Sequence, residues 1–188
     1  MRAPILAVVV SLAAVTRLIA QSPPRPSYVP ADTTAYVPRH ENPNGRQLVV
    51  VYIGGSETNS IREFAAAVRD MKPLLARQAA ERKLPISIIG VSLDWEVEKS
   101  YARLQSMGAW DEVVLGNNWI NVGAQHYLWR RSDGKPVTPQ VVVLERTITS
   151  RESKLTFGDE RRLAGFEGWD RIVEWVRSGA LLPAEVKR

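Results

Sequence analysis

Three apolar, β-branched runs divide the chain: Leu48-Val49-Val50-Val51-Tyr52-Ile53, Ile86-Ser87-Ile88-Ile89-Gly90-Val91-Ser92-Leu93 and Gln140-Val141-Val142-Val143-Leu144. Their length and β-branched composition predict buried strands. Between the first two runs, Ile61, Phe64, Ala65, Val68, Met71 and Leu75 recur at helical spacing from about Ser60. Strand, helix, strand in that order points to a parallel βαβ unit and an α/β fold.

The remaining elements follow from local signals. Glu96 to Met107 predicts a second helix, with Val97, Tyr101 and Leu104 on one face and Gly108 at its C-terminal cap. Glu112–Leu115 predicts a short strand and Gly116-Asn117-Asn118 a turn, with Asn118 capping a helix from Trp119 to about Trp129. Ser132-Asp133-Gly134-Lys135 is a turn signal, and Lys154–Phe157 reads as an antiparallel neighbour of the third run. A last helix is expected from Trp169 to Arg177, ended by Gly179, with a charged tail over 180–188.

The ends have a different character. Arg2 and the apolar run Ile5–Val15 read as a secretory leader, with cleavage expected after Ala20. A retained anchor is the alternative, although a spanning helix needs ~20 apolar residues and Arg17 interrupts this one. Residues 21–46 hold Pro23, Pro24, Pro26, Pro30, Pro38 and Pro43 without apolar periodicity, which predicts an extended linker or arm. The folded domain is then expected over 47–179. Export to the periplasm or the exterior usually goes with disulfides, yet the chain has no cysteine. It must fold on packing alone, and lipoprotein attachment and thiol chemistry are excluded. The formal charge of +5 falls to +3 without Arg2 and Arg17. The pairs Arg82-Lys83, Arg130-Arg131 and Arg161-Arg162 are scattered among acids, which argues against a nucleic-acid stripe.

With these elements in place, the chain resembles the thioredoxin-like family over about residues 47–179. The loop after the first core strand, Gly54-Gly55-Ser56-Glu57-Thr58-Asn59, stands where the family has its active loop, with Ser56 and Asn59 at the two cysteine positions. Pro73 matches the proline within the following helix, and Thr138-Pro139 before Gln140 matches the cis-proline that opens a later strand. The resemblance implies a three-layer sandwich with a central mixed sheet flanked by helices. It also implies a groove for an extended polypeptide, bounded by Gly55, Ser56, Glu57, Asn59, Thr138, Pro139 and Gly165. The departure from the family decides the chemistry. A serine hydroxyl does not ionise as a helix-terminal thiolate does and exchanges no disulfide. Ser56 and Asn59 are expected instead to cap the helix.

Other constellations carry less. His40 and His126 are too few for a zinc site without cysteine. A Ser56, His126 and Asp94 triad lacks a nucleophile elbow. Gly54-Gly55 lacks the Lys-Ser/Thr ending of a phosphate loop. Asp94-Trp95-Glu96 closes a strand, where ligands often bind in open α/β sheets, although Asp94 equally suits a helix cap. Trp119 among Asn117, Asn118 and Asn121 suits a binding surface or, more plainly, a capped helix with a buried indole. The expectation is therefore a non-enzymatic, cofactor-free module of the cell envelope that binds a protein or extended peptide. The alternatives are a structural subunit of a larger envelope complex, and a glutathione-dependent enzyme using Ser56 or Tyr52.

Overall fold

The computed structural model describes residues 44–56, 62–131, 136–151 and 154–183. The proposed leader and most of the proline-rich arm lie outside them, as do Glu57, Asn59 and His40. The elements run β1 (Gly45–Gly54), α1 (Arg62–Glu81), β2 (Ile86–Ser92), α2 (Val97–Ser106), β3 (Glu112–Val114), β4 (Gln140–Arg151), β5 (Lys154–Glu167) and α3 (Trp169–Arg177). They build one five-stranded sheet in the order β3-β2-β1-β4-β5. β1 runs parallel to β2, pairing Leu48 with Ile86 through Gly54 with Ser92, and β3 continues the parallel side. β4 lies antiparallel to β1 on its other flank, and β5 closes a long hairpin on β4. A βαβ unit followed by a β-hairpin and a closing helix, with β1 central, is the thioredoxin-like arrangement.

The alternation of side chains along β1 creates two cores. Leu48, Val50 and Tyr52 point to the face covered by α1 and α3, where Phe64, Val68, Met71, Leu75, Ile172 and Val176 pack. Leu104 and Met107 bring α2 to the same face. Val49, Val51 and Ile53 point the other way, against Ala124, Tyr127 and Leu128. The sheet is thus sandwiched between helical layers. Each fully buried aliphatic side chain stabilises by about 1.5–3 kcal/mol, so two complete cores replace the missing disulfides. The chain reverses out of its helices with residues at positive φ, such as Gly108 after α2 and Gly179 after α3.

Three sequence expectations are corrected. The segment from Trp119 is not one α-helix but a 3-10 turn (Asn118–Ile120), a π-helical turn (Ala124–Leu128) and a second 3-10 turn (Trp129–Arg131). Asn118 Oδ1 accepts the Trp119 N–H at 2.6 Å at the first 3-10 turn, and a second residue, the buried Asn121, caps the π-helical turn: its Oδ1 accepts the Ala124 N–H at 2.7 Å, while its Nδ2 donates to the carbonyls of Ser92 and Asn118. β5 runs to Glu167, ten residues beyond the apolar signal at Phe157. Its polar stretch is held by side-chain contacts, an Arg161–Glu145 ion pair and a hydrogen bond between Glu160 and His126, so no apolar alternation marks it. Finally, Asp94 does not cap α2. α2 starts at Val97 with Glu96 as N-cap and no side-chain capping bond.

Candidate functional site

The sheet topology sends the C-terminal ends of β1 and β2 to one edge, and the cis Thr138-Pro139 peptide at the mouth of β4 meets them there. A cleft of about 460 Å³ opens between these segments. Gly55 and Ser56 contribute the wall after β1, and Leu93, Asp94, Trp95, Glu96 and Lys99 the wall from β2 into α2. Asn118 and Trp119 come from the 3-10 turn, and Thr138 from the segment before β4. Trp95 is 68% exposed, a large apolar surface for a side chain that lines a cleft.

Asp94 organises the floor. Its Oδ1 accepts the Ser56 N–H at 2.7 Å, tying the loop after β1 to the end of β2. Its Oδ2 accepts the Ser92 hydroxyl at 3.0 Å and lies 3.9 Å from Arg103 Nη1. Partial burial alone would raise the carboxyl pKa. The Ser56 hydroxyl and amide, the Ser92 hydroxyl and the Arg103 charge together outweigh it and hold Asp94 below the usual carboxylate range. Asp94 is therefore ionised and already engaged, which suits a positioning role. Arg103 also reaches down to the Tyr52 hydroxyl at 3.4 Å, and its Nη1 is buried without a hydrogen-bond acceptor among the described residues.

Of the residues expected at the groove, Gly55, Ser56 and Thr138 converge on the cleft. Pro139 sits directly behind, buried, its carbonyl accepting the Gly168 N–H at 2.8 Å. Gly165 is not there. It pairs with Val142 within the β4–β5 hairpin, and the Arg162 guanidinium folds over it. The glycine beside the cis-proline is Gly168. Glu57 and Asn59 lie outside the described residues, so α1 capping by Asn59 does too. Ser56 binds Asp94 through its own amide, which is the contact that fixes it. Tyr52 is fully buried on the α1 face, and burial raises its phenol pKa against the lowering effect of Arg103. It offers no hydroxyl to the cleft. His126 pairs through Nε2 with Glu160 on β5 at 2.8 Å, away from Ser56 and Asp94. Among the described residues no three metal-ligating side chains converge.

Sequence reasoning does not point to Lys99 as a lining residue, and for Trp95, Glu96, Asn118 and Trp119 it offers a binding role beside a plainer capping or packing one; the structure places all five at the cleft. The signal for Trp95 and Glu96 is in the sequence: Asp94-Trp95-Glu96 ends the second strand of a parallel pair, on the side where crevices form. Which turn would fold across that end was not visible locally.

No family model matches the chain, and no curated protein matches it. Among solved structures it resembles that of BsSco, described as a member of the Sco family of cytochrome c oxidase assembly proteins with a disulfide switch. The alignment covers 71% of this chain and 80% of that one, at 13% identity and a TM-score of 0.33.

Proposed function

We propose that this chain is an exported, non-catalytic thioredoxin-like module of the cell envelope that holds an extended segment of a partner protein in the Ser56–Thr138 cleft. One observation carries the reading. Thr138 lines the cleft, and its backbone N–H and C=O make no hydrogen bond among the described residues. Backbone at a half-buried cleft wall with no hydrogen bond among the described residues, beside the first residues of β4, is a template for strand addition, in which main-chain bonds give affinity and side-chain pockets give selectivity. Without cysteine, capture stays non-covalent.

Crosslinking in cells followed by affinity purification tests this, comparing the wild type with Thr138→Arg. The arginine fills the cleft without touching either core. A specific partner recovered with the wild type and lost in the variant is the expected result. A partner retained at full yield would overturn the reading. It would move the interface to the 118–131 segment, where Ile120, Val122 and Trp129 are exposed, and favour a structural subunit of a larger assembly.

A further inference from the structure

The outer rim of the cleft is apolar. Among the described residues ten large apolar side chains are exposed, and six of them stand around the cleft mouth. Trp95 lines it, and Val97 follows at the start of α2, with its Cγ2 against Gly116 ahead of the Asn118 turn. Trp129 meets the lining Trp119 edge to face at 6.3 Å and donates from Nε1 to its carbonyl at 2.7 Å. Ile120 and Val122 follow Trp119, in a turn that Asn121 ties to the Ser92 carbonyl at the end of β2. Val137 stands next to the lining Thr138.

The extent of this surface matches a dimer. From their fractional exposures the six side chains present roughly 500 Å². The largest patch on a typical monomer is ~300–600 Å², and patches of that size are often functional. A standard interface buries ~800 Å² per partner and homodimer interfaces are ~65% apolar, so a stable dimer needs about 500 Å² of apolar surface from each copy.

Charge agrees. The charged side chains that line the cleft are compensated within the chain: Lys99 Nζ lies 2.7 Å from Glu96, and Arg103 lies 3.9 Å from Asp94. A lining of compensated charge can face its own copy without like-charge repulsion, and it offers no surplus cation to an anionic bilayer. Closed two-fold pairs are also the commonest assemblies of soluble chains.

We infer that two copies of this chain meet through the rim, across a two-fold axis, with their cleft mouths facing each other. The inference does not depend on what the cleft holds. A second copy over the mouth and a partner segment inside the cleft compete for the same surface.

Sedimentation equilibrium of the purified protein from about 1 μM to 1 mM tests this. A reversible dimer is expected for the wild type. Val122 is 74% exposed and lies outside the cleft lining and both cores. Val122→Arg should therefore keep the wild-type unfolding midpoint and raise the dimer dissociation constant more than about tenfold. Ile120→Arg repeats the test should Val122→Arg disturb folding. A wild type that stays monomeric throughout would overturn the inference. So would a dimer that both arginine variants leave intact, since another surface would then hold it. Monomers retained by neutral phosphatidylcholine vesicles, and released by the same substitutions, would assign the rim to lipid and overturn it too. The two readings fail separately. A monomeric wild type with partner capture still lost in Thr138→Arg would remove the dimer alone. A rim-dependent dimer with capture retained in Thr138→Arg would remove the partner groove alone.

Discussion

Lys72 is a residue whose chemistry the fold alters strongly. It is 1% exposed, its Nζ donates to the Ala109 carbonyl at 2.5 Å, and it lies 3.4 Å above the centre of the Trp110 ring. Burial lowers its pKa to about 7, with Asp111 raising it and Arg69 lowering it further. The unfolded chain therefore holds this proton up to about pH 10, while the folded chain releases it near pH 7. Between those values the unfolded state binds more protons, so stability rises with pH, at up to about 1.4 kcal/mol per unit. Urea unfolding between pH 6 and 10 should show this rise in the wild type and a flatter profile in Lys72→Met, with the two proteins differing most at the acid end. Parallel profiles would show that the ammonium is solvated in place. The position was partly legible in the sequence. Lys72 falls four residues after Val68, on the apolar stripe of α1, but a lysine there could equally snorkel to water. Asp94 was less legible. Its capping preference is local, whereas its actual partner is the amide of Ser56, 38 residues away. No local pattern encodes that contact.

At the scale of elements, the buried strands were readable because a β-branched run has few other uses, and the amphipathic α1 and α3 were readable from their spacing. The cover over the second face was not. Its π-helical turn exists because Gly123 lets the backbone lie against the sheet, where a methyl group would meet Val91 at 2.9 Å and Val114 at 3.2 Å. Gly123 has helical φ of −69°, so backbone strain is absent and only packing opposes a side chain. Two effects compete in Gly123→Ala. Alanine gains up to about 1 kcal/mol of helix propensity. Overpacking costs about 1–3 kcal/mol where neighbours cannot yield. Val91 is fully buried within the second core, so the packing term should win and the unfolding free energy should fall. An unchanged or raised unfolding midpoint would mean that the cover shifts outward freely. The hairpin makes the complementary point. Arg161–Glu145 and His126–Glu160 hold the polar half of β5 through side chains, which a search for apolar alternation overlooks.

Leu93 and Trp119 tie the cleft to the second core, but the cleft's β2–α2 wall stands apart from what folds the molecule. The two cores are built from β1, β2, β4 and the helices, and neither includes Trp95, Glu96 or Lys99. A thioredoxin-like frame can therefore lose its cysteines and keep its cleft, because the frame never depended on them. Trp95→Ala tests that separation. Its indole is mostly exposed, so truncation forfeits little buried area, and unfolding free energy should stay within about 0.5 kcal/mol of the wild type. Partner capture in cells should nevertheless fall as it does in Thr138→Arg, because exposed tryptophans at a binding surface carry a large share of the contact energy. Measured together, the two quantities discriminate. A stability loss above about 1 kcal/mol would place the indole in the packing of the β2–α2 connection. Unchanged stability with undiminished capture would leave strand addition at Thr138 as the working contact and make the aromatic wall dispensable. Unchanged stability with lost capture would show that the cleft recognises its partner through a surface the fold does not need.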